Sequence, residues 1–135
     1  MKNISNFIGI PFINKGRTFE ACDCYGVVKL YYKEILGIDI PDVLASPKQP
    51  RMAYMEYLEN ISKYWIEHYE PKENSVVALH TDPLHPKLVT HFGIVVKLDN
   101  KLKMLHTFRD TQSHLVDIDN PIYANKIKAY YEWRT

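Results

Sequence analysis

Glycine is scarce in this chain, with five in 135 residues, and cysteine is scarcer, with two. Two cysteines cannot build a disulfide framework. No apolar run approaches the roughly 20 residues of a membrane helix, so membrane insertion is not expected. An excess of one charge is also missing. Seventeen basic residues face sixteen acidic ones, for a net charge of +1. The two signs are interspersed, which removes the electrostatic case for nucleic acid. The opening "MKNISNFIGIPFINKG" is broken by Gly9 and Pro11 and has no small-residue cleavage site. It does not read as a signal peptide. The expectation is synthesis in the cytoplasm with no export signal. No repeat, low-complexity stretch or interdomain linker is visible.

Hydrophobic residues make up 46% and charged residues 24%. That suits one compact domain over 1–135 with a real core. Ten tyrosines and two tryptophans are many for this length; such side chains line grooves or pack cores. Residues 6–19 read as an irregular entry with turn residues. From Cys24 onward, Cys24, Val27, Val28, Tyr31 and Ile35 recur at helical spacing. Asp23 is a natural N-cap and Gly37 a natural stop. After a proline-rich connection, 52–70 is a second helix candidate. Its stripe is Met52, Met55, Leu58, Ile61 or Ser62, Trp65 and Ile66. The period then changes. Strands are expected at 75–79, 90–98, 101–108 and 113–118, with an ambiguous last element at 126–133. Helices first and an antiparallel sheet second is an α+β plan.

The two cysteines admit three readings. The spacing is C-x-C, and metal and redox pairs favour C-x-x-C with further ligands. Free cysteines often pack as small apolar side chains. The third reading is a nucleophile. Cys24 begins a helix, where backbone N–H groups and the dipole favour the thiolate and can stabilise an oxyanion. Cys22 lies before the cap and gains none of this, so it is assigned to packing.

A nucleophilic thiol needs a base. His68 falls on the exposed side of the second helix pattern. His80 and His85 flank a proline-containing loop, and His114 lies near a turn. His80, His85 and His91 lack the spacing of a rigid zinc set, so no metal or cofactor is expected. His91 and His106 are related by geometry. Asp99-Asn100 is a good two-residue hairpin turn. In that register Leu98 faces Lys101, His106 lies opposite Gly93, and His91 lies opposite Phe108. The two imidazoles become diagonal neighbours on one face, about 7–8 Å apart at the backbone. The alternative is two histidines bonded locally on a half-buried sheet. Taken together, Cys24 as nucleophile, His91 as base and His106 as orienting residue form a division of labour suited to amide hydrolysis.

These residues carry a resemblance. "DCYGVVKLYY" resembles the "DCSGLV" nucleophile motif of the NlpC family of papain-like cysteine peptidases. "THFGIVV" is similar to that family's "HVGIYL" strand, and "MLHTF" looks like its "FIHA" strand. The order Cys, His, His is the family's order. The entry segment resembles phage-tail and prophage members. The resemblance implies a papain-like NlpC fold, with N-terminal helices packed on a C-terminal antiparallel sheet. It also implies catalytic Cys24, His91 and His106, and substrate contacts from Asp23 and Tyr25, with Asp23 toward a substrate amine. The implied activity is hydrolysis of peptidoglycan stem peptides at the γ-D-glutamyl–diamino acid bond. The implied setting is the phage tail, with other tail proteins as partners, acting at the bacterial wall. There are departures. Tyr25 replaces the usual serine, and "KENSVVAL" lacks the family's Gly-Asp before the base strand. The interval from Cys24 to His91 is long, and the 52–70 helix and "HTDPLHPKLVT" fill it. Two alternatives stay open: a tail assembly or adaptor protein that keeps the fold without turnover, and a thiol amidase or acyltransferase on another amide.

Overall fold

The computed structural model describes residues 2–46 and 48–134. A 3-10 turn, Ile4–Phe7, opens the chain, and a short hairpin of β1 (Arg17–Thr18) and β2 (Ala21–Cys22) follows, its first strand within the 6–19 segment expected to be irregular. Helix α1 spans Cys24–Tyr31 and continues as a π turn, Tyr32–Leu36. Its start follows from Asp23, whose side chain accepts from the Gly26 N–H. Its end follows from Gly37, at φ 69°, in the left-handed region that glycine tolerates.

Helix α2 spans Pro50–Tyr64, shorter than the expected 52–70. Residues Trp65–His68 form β3 instead and pair antiparallel with the last strand, from Trp65 opposite Trp133 to His68 opposite Tyr130. Aromatic cross-strand packing overrides helical spacing there: the Trp65 and Trp133 rings meet edge to face at 5.1 Å. The expected α2 stripe is also on the wrong side. Met52, Met55 and Leu58 are 45%, 68% and 42% exposed. Tyr57 is the buried residue of this helix, beside half-buried Ala53, Tyr54 and Ile61. A polar bond selects this face. The Tyr57 and Tyr131 hydroxyls are hydrogen bonded, and Tyr131 donates to Glu67 at 2.7 Å.

The remaining strands are β4 (Val76–Leu79), β5 (His91–Leu98), β6 (Lys101–His106), β7 (His114–Asp117) and β8 (Ile127–Trp133). Helix α3, Pro121–Ala124, is a single turn capped by Asn120. The sheet has six antiparallel strands in the order β3-β8-β4-β5-β6-β7. The ambiguous last element is thus an interior strand. Val27, Val28, Leu30 and Tyr31 of α1 share one apolar cluster with Val76, Ala78, Ile94 and Val96 of the sheet. Val77, Leu79, Val95, Met104 and Tyr130 form a second cluster. The fold is α+β.

Candidate active site at the head of helix α1

The β5–β6 hairpin has the register read from the sequence, with Leu98 opposite Lys101 and Ile94 opposite Leu105. Asp99 and Asn100 have φ of 51° and 64°, the two left-handed residues of a type I′ turn. This register brings the two histidines together. His91 Nε2 lies 2.9 Å from His106 Nδ1, and both rings are buried. Gly93 contributes to the packing beneath them. A Cβ there would stand 2.8 Å from Met104 Cγ and 3.1 Å from the Leu105 carbonyl, so Met104 fills the space that glycine leaves.

Phe108 adds what the motif alone did not indicate. Its ring stacks on His91 at 4.0 Å, with 13° between planes, and meets His106 edge-on at 5.0 Å. The pairing of His91 with Phe108 across the hairpin was the available signal. His114, expected to be a bystander near a turn, pairs with His106 across β6 and β7. Its ring centroid is 4.6 Å from that of His106. Tyr123 closes the other side at 4.8 Å. With the His91 proton on Nε2, that N–H donates to His106 Nδ1 and leaves His91 Nδ1 as a lone pair. The His106 proton is then on Nε2, a buried atom with no hydrogen-bond partner among the described residues.

Cys24 and His91 line one cavity of about 120 Å³, with Phe12, Thr90 and Thr107 among its walls. The backbone N–H groups of Phe92 and Tyr25 lower the Cys24 thiol value. The electrostatics differ from the helix-start expectation. Burial pushes the Cys24 thiol up to about 12, the Asp23 carboxylate adds to the rise, and the two backbone donors offset only part of it. Burial likewise drives His91 well below the ordinary histidine value, with His106 and His114 contributing. His106 falls to about 3 for the same leading reason, with His114 again contributing. The resting pair is therefore a neutral thiol beside a neutral imidazole. Desolvation outweighs the dipole because Cys24 is 6% exposed.

Asp23, expected to contact a substrate amine, is engaged by donors of the protein itself. Its carboxylate is buried and accepts from the Gly26 N–H at 2.8 Å, the Lys15 N–H at 2.8 Å and Arg17 Nη1 at 2.7 Å. Three protein donors fix it as a cap and an anchor for Arg17. The Tyr25 hydroxyl donates to the Pro41 carbonyl, and its ring meets Phe92 edge-on at 6.0 Å. Tyr25, Phe92, Tyr57, Trp65 and Tyr131 wall a separate apolar cavity of about 50 Å³. Cys22 is buried in the core, where burial pushes its thiol up to about 12, in keeping with packing. The other histidines are bound locally. His68, on β3 rather than on a helix face, contacts the Glu70 carbonyl at 2.8 Å. His80 contacts the Leu88 carbonyl at 3.1 Å, and His85 the Asp82 carboxylate at 3.0 Å. Among the described residues no cluster of three or more His, Cys, Asp or Glu is arranged to hold a metal. Among the described residues no helix is long and apolar enough to cross a membrane.

No protein-family model matches the sequence, and no curated protein does. Among solved structures, the fold is similar to a crystal structure from Staphylococcus aureus described as similar to lipoprotein, NLP/P60 family. The TM-score is 0.59 at 16% identity, over 93% of this chain. This chain spans 37% of that protein's length. The likeness is one of fold: an NLP/P60-like α+β domain.

Proposed function

We propose that this protein is a papain-like cysteine peptidase of the NlpC type, cutting peptidoglycan stem peptides with Cys24, His91 and His106. The observation that carries the reading is the 2.9 Å bond from His91 to His106 beside a helix-start cysteine in a shared cavity. The NLP/P60-like fold supports it. Cys24 Sγ attacks the scissile carbonyl carbon as its proton passes to His91 Nδ1. Because both groups rest neutral, proton transfer accompanies attack instead of preceding it. The Cys24 backbone N–H, at the start of α1, donates to the developing oxyanion. The C–N bond breaks, and His91 returns the proton to the leaving amine. Water, activated by the same nitrogen, then hydrolyses the thioester and regenerates the thiol. His106 accepts the His91 Nε2–H throughout and holds its tautomer.

The bond cut is the γ-D-glutamyl–diamino acid amide. The protein is carried in the tail of a phage or prophage virion, in contact with other tail proteins, and acts at the bacterial wall. This setting rests on the likeness of the segment 8–41 to phage-tail sequences. Incubation with defined muropeptides, read by mass spectrometry, tests the reading. The parent releases the γ-glutamyl fragment and Cys24→Ala does not; equal digestion by the variant rejects the mechanism. A second reading, a tail adaptor that keeps the fold without turnover, is favoured by the high resting thiol value and by Tyr25 in place of serine. Incorporation into tails with no digestion of any muropeptide supports it.

A further inference from the structure

Helix α2 carries an apolar face that the fold does not use. Tyr57 is turned toward the sheet, where its hydroxyl meets that of Tyr131. Met52, Met55 and Leu58 lie on the other side and are exposed. At about 100° per residue they span about 120° of arc with Met55 at the centre, the width of a stripe that packs against another element. The flank beside Met52 is built up by the preceding connection. The Glu56 carboxylate accepts from the Leu44 N–H at 2.7 Å and the Ala45 N–H at 2.6 Å, which holds an exposed Leu44 close to the helix.

The charges on this face have a pattern of their own. Arg51 is exposed and forms no ion pair among the described residues. Glu59 is paired only with Lys63, one turn on at 3.1 Å, and both side chains are more than half exposed, so the pair is weak. Arg51 stands four residues before Met55 and Glu59 four after it. On a helix that places them about 40° to either side of Met55, and about 6 Å below and above it. Met52 and Leu58 stand three residues before and after, about 60° to either side. The face is therefore symmetric about Met55 in its apolar side chains and opposite in its charges. Such a face complements a copy of itself turned end for end. A parallel copy would set Arg51 against Arg51 and Glu59 against Glu59, which repel. An anionic lipid surface calls for a basic rim, and here Glu59 balances Arg51.

We propose that α2 is a self-association surface: two copies of this chain pack their α2 helices antiparallel about a two-fold axis at Met55. Met52 of each copy lies level with Leu58 of the other, and Arg51 of each pairs with Glu59 of the other, giving an isologous contact with two identical ion pairs. None of the residues lining the cavity shared by Cys24 and His91 lies on α2, so the contact does not use that site. Three apolar side chains and Leu44 on each copy make a small interface, so the dimer is a weak, concentration-dependent one.

Sedimentation of the full chain from roughly 1 to 500 µM, the range suited to a small interface, tests the proposal. The mass rises from monomer to dimer and stops there, because a two-fold contact closes. Met55→Asp sets two carboxylates against each other at the axis and keeps the protein monomeric, with Tm unchanged because the side chain is exposed in the free chain. Arg51→Glu or Glu59→Arg alone weakens the dimer at least about 10-fold, since two attractive pairs become two repulsive ones. The double variant Arg51→Glu/Glu59→Arg restores it, and an equimolar mixture of the two single variants forms a mixed dimer. A monomer at every concentration overturns the proposal and leaves the face to a different protein. A dimer that survives Met55→Asp overturns it in favour of another surface. A double variant no tighter than the single ones overturns the antiparallel register.

Discussion

The protonation state of Cys24 gives the sharpest quantitative test. The perturbation is pH, applied to Cys22→Ser protein so that Cys24 is the remaining thiol. A thiol pushed up to about 12 is thiolate to roughly one part in 10⁵ at pH 7, whereas a free cysteine near 8.5 is a few per cent ionised. The thiolate population is thus lower by about 3 × 10³. Higher basicity recovers part of this. With a Brønsted slope of about 0.4–0.5, three and a half units of pKa return about one and a half decades. Net alkylation by iodoacetamide is therefore roughly 30- to 100-fold slower than for free cysteine near neutral pH, before any loss from restricted access. The rate rises tenfold per pH unit from 6 to 9 with no plateau. Intact-mass measurement of alkylation between pH 5.5 and 9.5 reads this directly. A plateau below pH 8, or labelling faster than free cysteine, refutes it. Either would mean that a thiolate–imidazolium pair exists at rest and that the dipole and the Phe92 and Tyr25 N–H groups overcome burial. His91→Ala leaves the profile in place if the neutral assignment is right, because His91 then acts only during attack.

Three further expectations concern the histidine cluster and its support. His106→Ala leaves the buried His91 Nε2–H without its acceptor, costing about 1–3 kcal/mol of stability and a large part of kcat. His106→Asn keeps a side-chain acceptor and recovers part of both, read by urea unfolding and muropeptide turnover. Acid lability follows from the depressed histidines. Their folded values lie below the unfolded value near 6.5, so the unfolded chain binds more protons between the two, and stability falls as pH drops through that window. For His106, at about 3, the loss at pH 5 is about 2 kcal/mol; Tm measured from pH 7 to 4 checks it, and His106→Asn flattens the slope. Gly93→Ala forces a methyl group against Met104 Cγ and the Leu105 carbonyl, at about 1–3 kcal/mol. Shortening Met104 to Ala relieves the clash with the side chain, so the double variant loses less than the two single changes predict if they acted independently, as chemical denaturation can show.

What was legible in the sequence was local or two-fold periodic. Asp23 and Gly37 bound the first helix because a cap and a left-handed stop are properties of single residues. The His91–His106 meeting was legible because a two-residue turn fixes every pair along a hairpin, and Asp99-Asn100 specifies that turn. The second helix was misread because several faces of α2 carry apolar residues. Met52, Met55 and Leu58 give the cleaner spacing, but burial goes to Tyr57, which meets Tyr131 and, through it, Glu67, in strands that no local pattern relates to α2. The same long-range pairing with β8 pulls Trp65 out of the helix. The site divides in the same way. Its backbone geometry could be worked out from spacing, but the depth at which Cys24 lies could not, and depth sets its charge. A helix N-terminus lowers a thiol pKa only where water or fixed donors leave room for the anion; here the surrounding walls hold the sulfur neutral. On the proposed peptidase reading, the substrate completes the environment, presenting its carbonyl to the oxyanion donor as the proton moves to His91.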